Sequence, residues 1–149
     1  MALSDICNYV QLSDQIATSG QPTVEQFAEI KAAGYGVVVN LAMPNSKNWL
    51  PDELTIVKAQ GMTYQHIPVV WEDPTAENLS DLFATLEKNC DSQVWVHCAL
   101  NMRVSAMMYL YNRLQRQQSD AEARPYMEQI WTPNETWQGF ITAQLGEIG

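Results

Sequence analysis

The chain is poor in positive charge: 8 Lys and Arg stand against 17 Asp and Glu in 149 residues, a formal net charge of −9. Phosphate backbones are bound mainly by clustered Lys and Arg, so this balance argues against a nucleic-acid partner, although a small anion can still be held locally. Cysteine and histidine are scarce too. Cys7, Cys90 and Cys98 show no CxxC spacing, and His66 and His97 are the two imidazoles, so neither a metal site nor a cofactor is expected. An odd, dispersed set of thiols fits a reducing compartment better than a disulfide framework. No apolar run approaches membrane-spanning length, and Met1-Ala2-Leu3-Ser4-Asp5 lacks the basic start and apolar stretch of a secretory leader. The expectation is a cytoplasmic protein with no membrane partner. Internal repeats and low-complexity tracts are absent, and 46% hydrophobic residues over this length suit one domain, 1–149, with a sizeable core.

What is present is a regular alternation. Asn8 to Leu12 and Gln15 to Thr18 read as short edge strands before the Ser19-Gly20-Gln21-Pro22 turn. Thr23 caps a helix over Val24 to Ala33 that stops at Gly34, and Gly36 to Leu41 reads as a strand buried on both faces. Pro51-Asp52-Glu53-Leu54 opens a helix with Leu54, Ile56 and Val57 on its apolar side and Gly61 at its end. A strand over Tyr64 to Val70, a helix over Thr75 to Asn89 with the stripe Leu79, Leu82, Phe83 and Leu86, and a strand over Val94 to His97 follow. The apolar helix Val104 to Leu114 and two tail helices, Asp120 to Ile130 and Pro133 to Leu145, complete the chain, with Trp131, Trp137 and Phe140 as anchors. This order predicts an α/β fold: a central, mainly parallel sheet of four to five strands, helices on both faces and extra C-terminal helices. Ligands in such folds bind beyond the carboxyl ends of the strands. The loop after Val94–His97 and the Trp71-Glu72-Asp73-Pro74 loop should therefore share one rim.

The segment Val94-Trp95-Val96-His97-Cys98-Ala99-Leu100-Asn101-Met102-Arg103-Val104-Ser105 concentrates the chemistry. A Cys between the end of a strand and the first turn of a helix faces unpaired backbone N–H groups and the positive end of the helix dipole, a setting that favours a thiolate and binds an oxyanion. Cys98 is the candidate nucleophile, whereas Cys7 and Cys90 read as small buried hydrophobes. Arg103 at a helix start opposes the dipole, which suggests an anion nearby. His97 is read as orienting the loop, and His66 as a strand residue with a satisfied ring.

His97-Cys98 with Arg103 and Ser105 resembles the cysteine-dependent tyrosine and dual-specificity phosphatases, whose signature is H-C-x-x-G-x-x-R-[ST]. Ser19-Gly20-Gln21-Pro22, the Val37 to Leu41 strand, His66-Ile67-Pro68-Val69 and the Cys98 loop together resemble a bacterial, DUF442-like phosphatase family over about residues 8 to 115. The resemblance implies a phosphatase-like fold and a cysteine phosphatase acting on a small phosphoester or phosphotyrosine-type substrate. It makes Cys98 the nucleophile and Arg103 with the backbone of Ala99, Leu100, Asn101, Met102 and Val104 the anion cradle. Asp73 becomes the acid, Ser105 a hydroxyl that aids thiolate release, and Trp71 and His97 substrate-side residues. Glu72 is a weaker substitute acid, and Asp73 before Pro74 also suits an ordinary helix N-cap.

The signature has five residues between Cys and Arg, and this chain has four. Without a gap, Asn101 takes the Gly position and Ser105 the Ser/Thr position, but Arg103 stands one residue early, turned by about 100° on a helix. With a deletion, Arg103 keeps its place and the cradle tightens. Two other readings follow: sulfur transfer through a Cys98 persulfide, as in rhodanese-type enzymes, and an anion-binding module without turnover. A gain of one sulfur after thiosulfate treatment marks the first, and anion binding without hydrolysis marks the second.

Overall fold

The computed structural model describes residues 2–146; Met1, part of the segment read for a leader, and 147–149 lie outside it. Five strands, β1 (Val10–Gln11), β2 (Ile16–Ser19), β3 (Val37–Asn40), β4 (Thr63–His66) and β5 (Val94–His97), form one sheet in the order β1-β2-β5-β3-β4. Only the β1–β2 pair is antiparallel. In the parallel part Ser19 and Asn40 lie opposite His97, and His66 lies opposite Asn40. The four parallel strands thus finish on one row, and the chain segments after Ser19, Asn40, His66 and His97 leave from the same rim.

Among the described residues six α-helices, α1 (Val24–Ala32), α2 (Glu53–Ala59), α3 (Ala76–Lys88), α4 (Met102–Leu114), α5 (Asp120–Glu128) and α6 (Glu135–Gly146), flank the sheet. Their starts are written locally. The side chains of Thr23, Thr75 and Ser119 accept from the backbone N–H of Gln26, Asn78 and Glu122, whose side chains reach back to the cap N–H groups. Gly34 and Gly61, at φ of 103° and 82°, end α1 and the turn after α2 in the left-handed region where a Cβ is strained. Period-2 alternation divides the strands between two apolar layers. Val38 and Trp95 pack with Phe27, Ile30 and Val57 of α1 and α2, whereas Val37, Val39, Val94 and Val96 pack with Leu82, Met107, Leu110, Met127 and Trp137 of the other helices. Among the described residues, no helix is long and apolar enough to cross a membrane.

The structure corrects several expectations. The strand read as Tyr64 to Val70 ends at His66, because Pro68 brings no N–H, although Ile67 N and Val69 N still donate to Asn40 O and Leu41 O. Leu54 does not join the apolar side of α2: it is 47% exposed, while Glu53 beside it is 1% exposed and hydrogen-bonded. Thr75, not Asp73, caps α3. α4 starts at Met102, two residues before Val104, because Asn101 turns the chain at φ 68°. Cys7 and Cys90, read as buried, are exposed, whereas Cys98 is buried.

Candidate active site

Cys98 follows the last residue of β5 and is 1% exposed, facing the layer that contains Val104 and Met107. The loop from Cys98 to Asn101 is held by its carbonyls. The Cys98 carbonyl lies 3.3 Å from His97 Nδ1, the Ala99 carbonyl accepts from Gln21 N at 2.9 Å, and the Leu100 carbonyl accepts from Asn8 Nδ2 at 2.9 Å. In a trans peptide the C=O and the following N–H point in opposite directions. Turning three consecutive carbonyls outward therefore turns the N–H groups of Ala99, Leu100 and Asn101 to the other side. None of the three has an acceptor among the described residues. With the start of α4 next to them, they are unpaired backbone donors of the kind that can receive an anion.

Asn101 makes the turn possible. It adopts a left-handed backbone that Asn tolerates better than most residues, and its Nδ2 donates to Asn8 O at 2.8 Å and to Thr18 Oγ1 at 3.1 Å. Asn8, itself at φ 49°, and Leu100–Asn101 thus bond reciprocally across a sequence separation of 92 to 93 residues.

Behind the loop lies a buried polar network. His97 Nε2 stands 2.6 Å from Glu53 Oε2, with both side chains almost wholly buried. Glu53 Oε1 accepts from Gln21 Nε2 at 2.7 Å, and Asn40 Nδ2 lies 3.4 Å from Glu53 Oε2 and 3.0 Å from Tyr64 Oη. Burial alone pushes the Glu53 carboxyl up, but the His97 charge and hydrogen bonds from His97, Gln21 and Tyr64 outweigh it and hold the carboxyl below its ordinary range. The Tyr64 phenol is pushed up, by burial first and by the Glu53 charge second. Sequence reading missed Glu53, Gln21, Asn40 and Asn8 as site residues. An acid in the first turn of a helix is the only signal Glu53 carries, and exposed helix starts share it.

Arg103 is 6% exposed in the first turn of α4. Its Nη1 donates to Val69 O at 3.0 Å and its Nη2 to Ser46 Oγ at 3.2 Å, while Nε has no acceptor. The guanidinium carbon lies 5.8 Å from the centroid of the Trp71 ring, within cation–π range. Met43, Ser46, Val70, Trp71, Glu72 and Arg103 surround a cavity of about 230 Å³. Glu72 faces it, whereas Asp73 is exposed and outside its wall. Trp71 in turn packs against Trp131 and Trp137, and Trp137 Nε1 donates to Trp71 O at 2.9 Å.

The remaining expected residues divide. Ala99 and Leu100 belong to the loop, Met102 and Val104 to the first turn of α4, and Val104 is buried. Ser105 is turned elsewhere: its Oγ donates to Met102 O at 2.9 Å and accepts from Trp131 Nε1 at 3.0 Å. His66 Nε2 lies 2.6 Å from Ala42 O. A larger open groove of about 560 Å³ runs between β4 and α3, past Gln65, Pro68, Asp81 and Thr85, and contains neither Cys98 nor Arg103. Among the described residues, no three His, Cys, Asp or Glu side chains are grouped to hold a metal ion.

No family model matches the chain. No curated protein matches it either. Solved structures do. A Shewanella putrefaciens CN-32 protein described as a "putative phosphatase (DUF442)" is 34% identical, with 99% of this chain and 97% of that chain covered at a TM-score of 0.89. Tk-PTP in its active form is 19% identical over 94% of this chain and 97% of that one, TM-score 0.78. Pseudomonas aeruginosa TpbA in complex with pTyr is 12% identical over 97% and 93%, TM-score 0.69. At their low identities the last two establish a shared fold, and the first carries the sequence relationship as well.

Proposed function

Because the chain belongs to the DUF442 family, we propose that it is a cysteine-dependent phosphatase that hydrolyses a small phosphoester or a phosphotyrosine-type substrate through a phosphocysteine. The observation that carries this reading is the loop of three outward carbonyls, which leaves the N–H groups of Ala99, Leu100 and Asn101 free beside Cys98. Those donors would receive the equatorial phosphate oxygens as charge builds on them. The Cys98 thiolate attacks phosphorus, and the P–O bond to the leaving group breaks. A carboxylic acid on the Trp71–Pro74 loop gives its proton to the departing oxygen, which otherwise leaves poorly. Water then attacks phosphorus with the same carboxylate as base, the P–S bond breaks, and inorganic phosphate and the thiolate are released.

Two carboxylates compete for the acid role. Asp73 matches the family pattern, and Glu72 faces the cavity of Arg103 and Trp71. Arg103 would add its charge and its free Nε–H, while its two Nη groups hold the Val69 and Ser46 segments. The Trp71 indole would face an aromatic leaving group, in keeping with the pTyr that TpbA binds. No metal or cofactor enters this scheme. In solution the wild type should hydrolyse p-nitrophenyl phosphate and Cys98→Ser should not; equal rates above the uncatalysed background would end the reading.

The engaged Nη groups of Arg103 and the 1% exposure of Cys98 favour a second reading, retention of an anion without turnover. Phosphate binding that survives Cys98→Ser, with no hydrolysis by wild type, is its signature.

A further inference from the structure

We infer that Glu53 is a positioning residue for the Cys98 loop, acting at two points through His97 and Gln21 so that the loop N–H groups face a bound oxyanion. The inference rests on the anion cradle described above and adds to it a carboxylate that touches neither Cys98 nor the donors.

The connections can be followed atom by atom. Glu53 Oε2 lies 2.6 Å from Nε2 of His97, whose Nδ1 lies 3.3 Å from the Cys98 carbonyl, so one imidazole spans from the carboxylate to the loop. Glu53 Oε1 takes Gln21 Nε2, and the backbone N–H of the same Gln21 donates to the Ala99 carbonyl. One carboxylate therefore fixes the donors of two successive loop carbonyls, and each fixed carbonyl sets the direction of the next N–H. The third carbonyl, of Leu100, is held separately by Asn8. Burial sharpens the effect: Glu53 is 1% and His97 0% exposed, so water cannot replace either partner cheaply. A purely structural ion pair at this place has no need of Gln21, and Gln21 is what carries the carboxylate to the second carbonyl.

The test compares wild type with Glu53→Gln and Gln21→Met. The second variant keeps the backbone N–H that reaches Ala99 and removes only the side-chain amide. Two readouts are taken: amide hydrogen exchange at Ala99, Leu100 and Asn101 by NMR, and the dissociation constant for inorganic phosphate. A charge-assisted hydrogen bond is worth enough to make both change by about tenfold or more in Glu53→Gln. Gln21→Met should move both in the same direction by less, and the double variant should be no worse than Glu53→Gln, because the two residues act in series. Wild-type exchange and phosphate affinity in both variants would overturn the inference. So would exchange that quickens evenly through the sheet and α4, the mark of lost global stability. If Glu53→Gln does not fold, Gln21→Met decides by the same readouts. If wild type binds no phosphate while loop exchange still responds to the variants, the phosphatase reading falls and the positioning role stands.

Discussion

Gly20 stands where β2 leaves the sheet, and a methyl group there would press on the Cys98 loop. A Cβ built at Gly20 lies 2.6 Å from the Ala99 carbonyl oxygen, 2.9 Å from Cys7 Sγ and 3.1 Å from Leu100 Cα. The first contact is about 0.8 Å short of the 3.4 Å at which contacts become ordinary. Neither side can simply retreat. Gly20 N is tied to Cys7 O at 2.7 Å, and Gln21 N is tied to the same Ala99 carbonyl that the methyl would strike. Overpacking of this kind costs about 1–3 kcal/mol. The more restricted unfolded chain of the Ala variant returns about 0.4–1 kcal/mol. The central values net about 1.3 kcal/mol, and at about 2–4 °C per kcal/mol the melting midpoint of Gly20→Ala should fall by about 3–5 °C. Activity should suffer more than stability, because the displaced peptide carries the Leu100 N–H, and ångström-scale misplacement costs on the order of a hundredfold. The assay is turnover of p-nitrophenyl phosphate beside thermal unfolding, with Gly36→Ala as control, since a Cβ there meets nothing within 4 Å. Gly20→Ala with the turnover and midpoint of Gly36→Ala would refute the close approach and the loop geometry built on it.

Further perturbations probe other parts of the site. Asn101→Ala should be less stable than Asn101→Gly by about 0.5–1 kcal/mol in urea unfolding: both lose the bonds to Asn8 and Thr18, but only Ala strains the left-handed turn. Glu53 is held below its ordinary carboxylate range, so the stability it contributes is present above about pH 4.3 and is lost as pH falls through the folded value. Glu53→Gln should accordingly show a flatter acid limb, and parallel acid limbs would contradict the assignment. Trp137→Phe removes the indole N–H to Trp71 O and leaves an aromatic ring, so urea unfolding should show a stability drop of about 1 kcal/mol, and turnover should fall with it. Turnover that is indifferent to this change would separate α6 from the Trp71 loop.

The elements of the fold were legible because their signals are local. Thr23 caps the helix it precedes, Gly34 and Gly61 take the positive φ that ends a turn, and Val94–His97 forms the strand its pattern suggests. The carboxylate behind His97 was not legible, since Glu53 is buried only because its partner arrives 44 residues later. Asn8 likewise meets Leu100 from 92 residues away, and nothing near either residue announces the pairing. Cysteine exposure failed for the opposite reason: a general tendency to bury thiols says nothing about Cys7, which packs against Gly20 and yet stays open to solvent.

The shortened spacing between Cys98 and Arg103 admits two alignments, and the backbone bears on the choice. Asn101 occupies the left-handed turn that a glycine would supply, which favours alignment without a gap. Arg103 then lies one residue early on α4, and its fork reaches Val69 and Ser46, in the segments after β4 and β3. Ser105, although in register with the signature, is spent on Met102 and Trp131. The guanidinium so placed ties together the two segments that frame the cavity of Trp71 and Glu72, and Nε is its one nitrogen without a partner among the described residues. An oxyanion beside Cys98 would then depend chiefly on backbone N–H groups and the α4 dipole, with Arg103 contributing charge at the wall. In that arrangement the directions of three peptide planes would carry the weight that the signature gives to a side chain, and the donors holding the Cys98, Ala99 and Leu100 carbonyls would be as consequential for anion binding as Arg103.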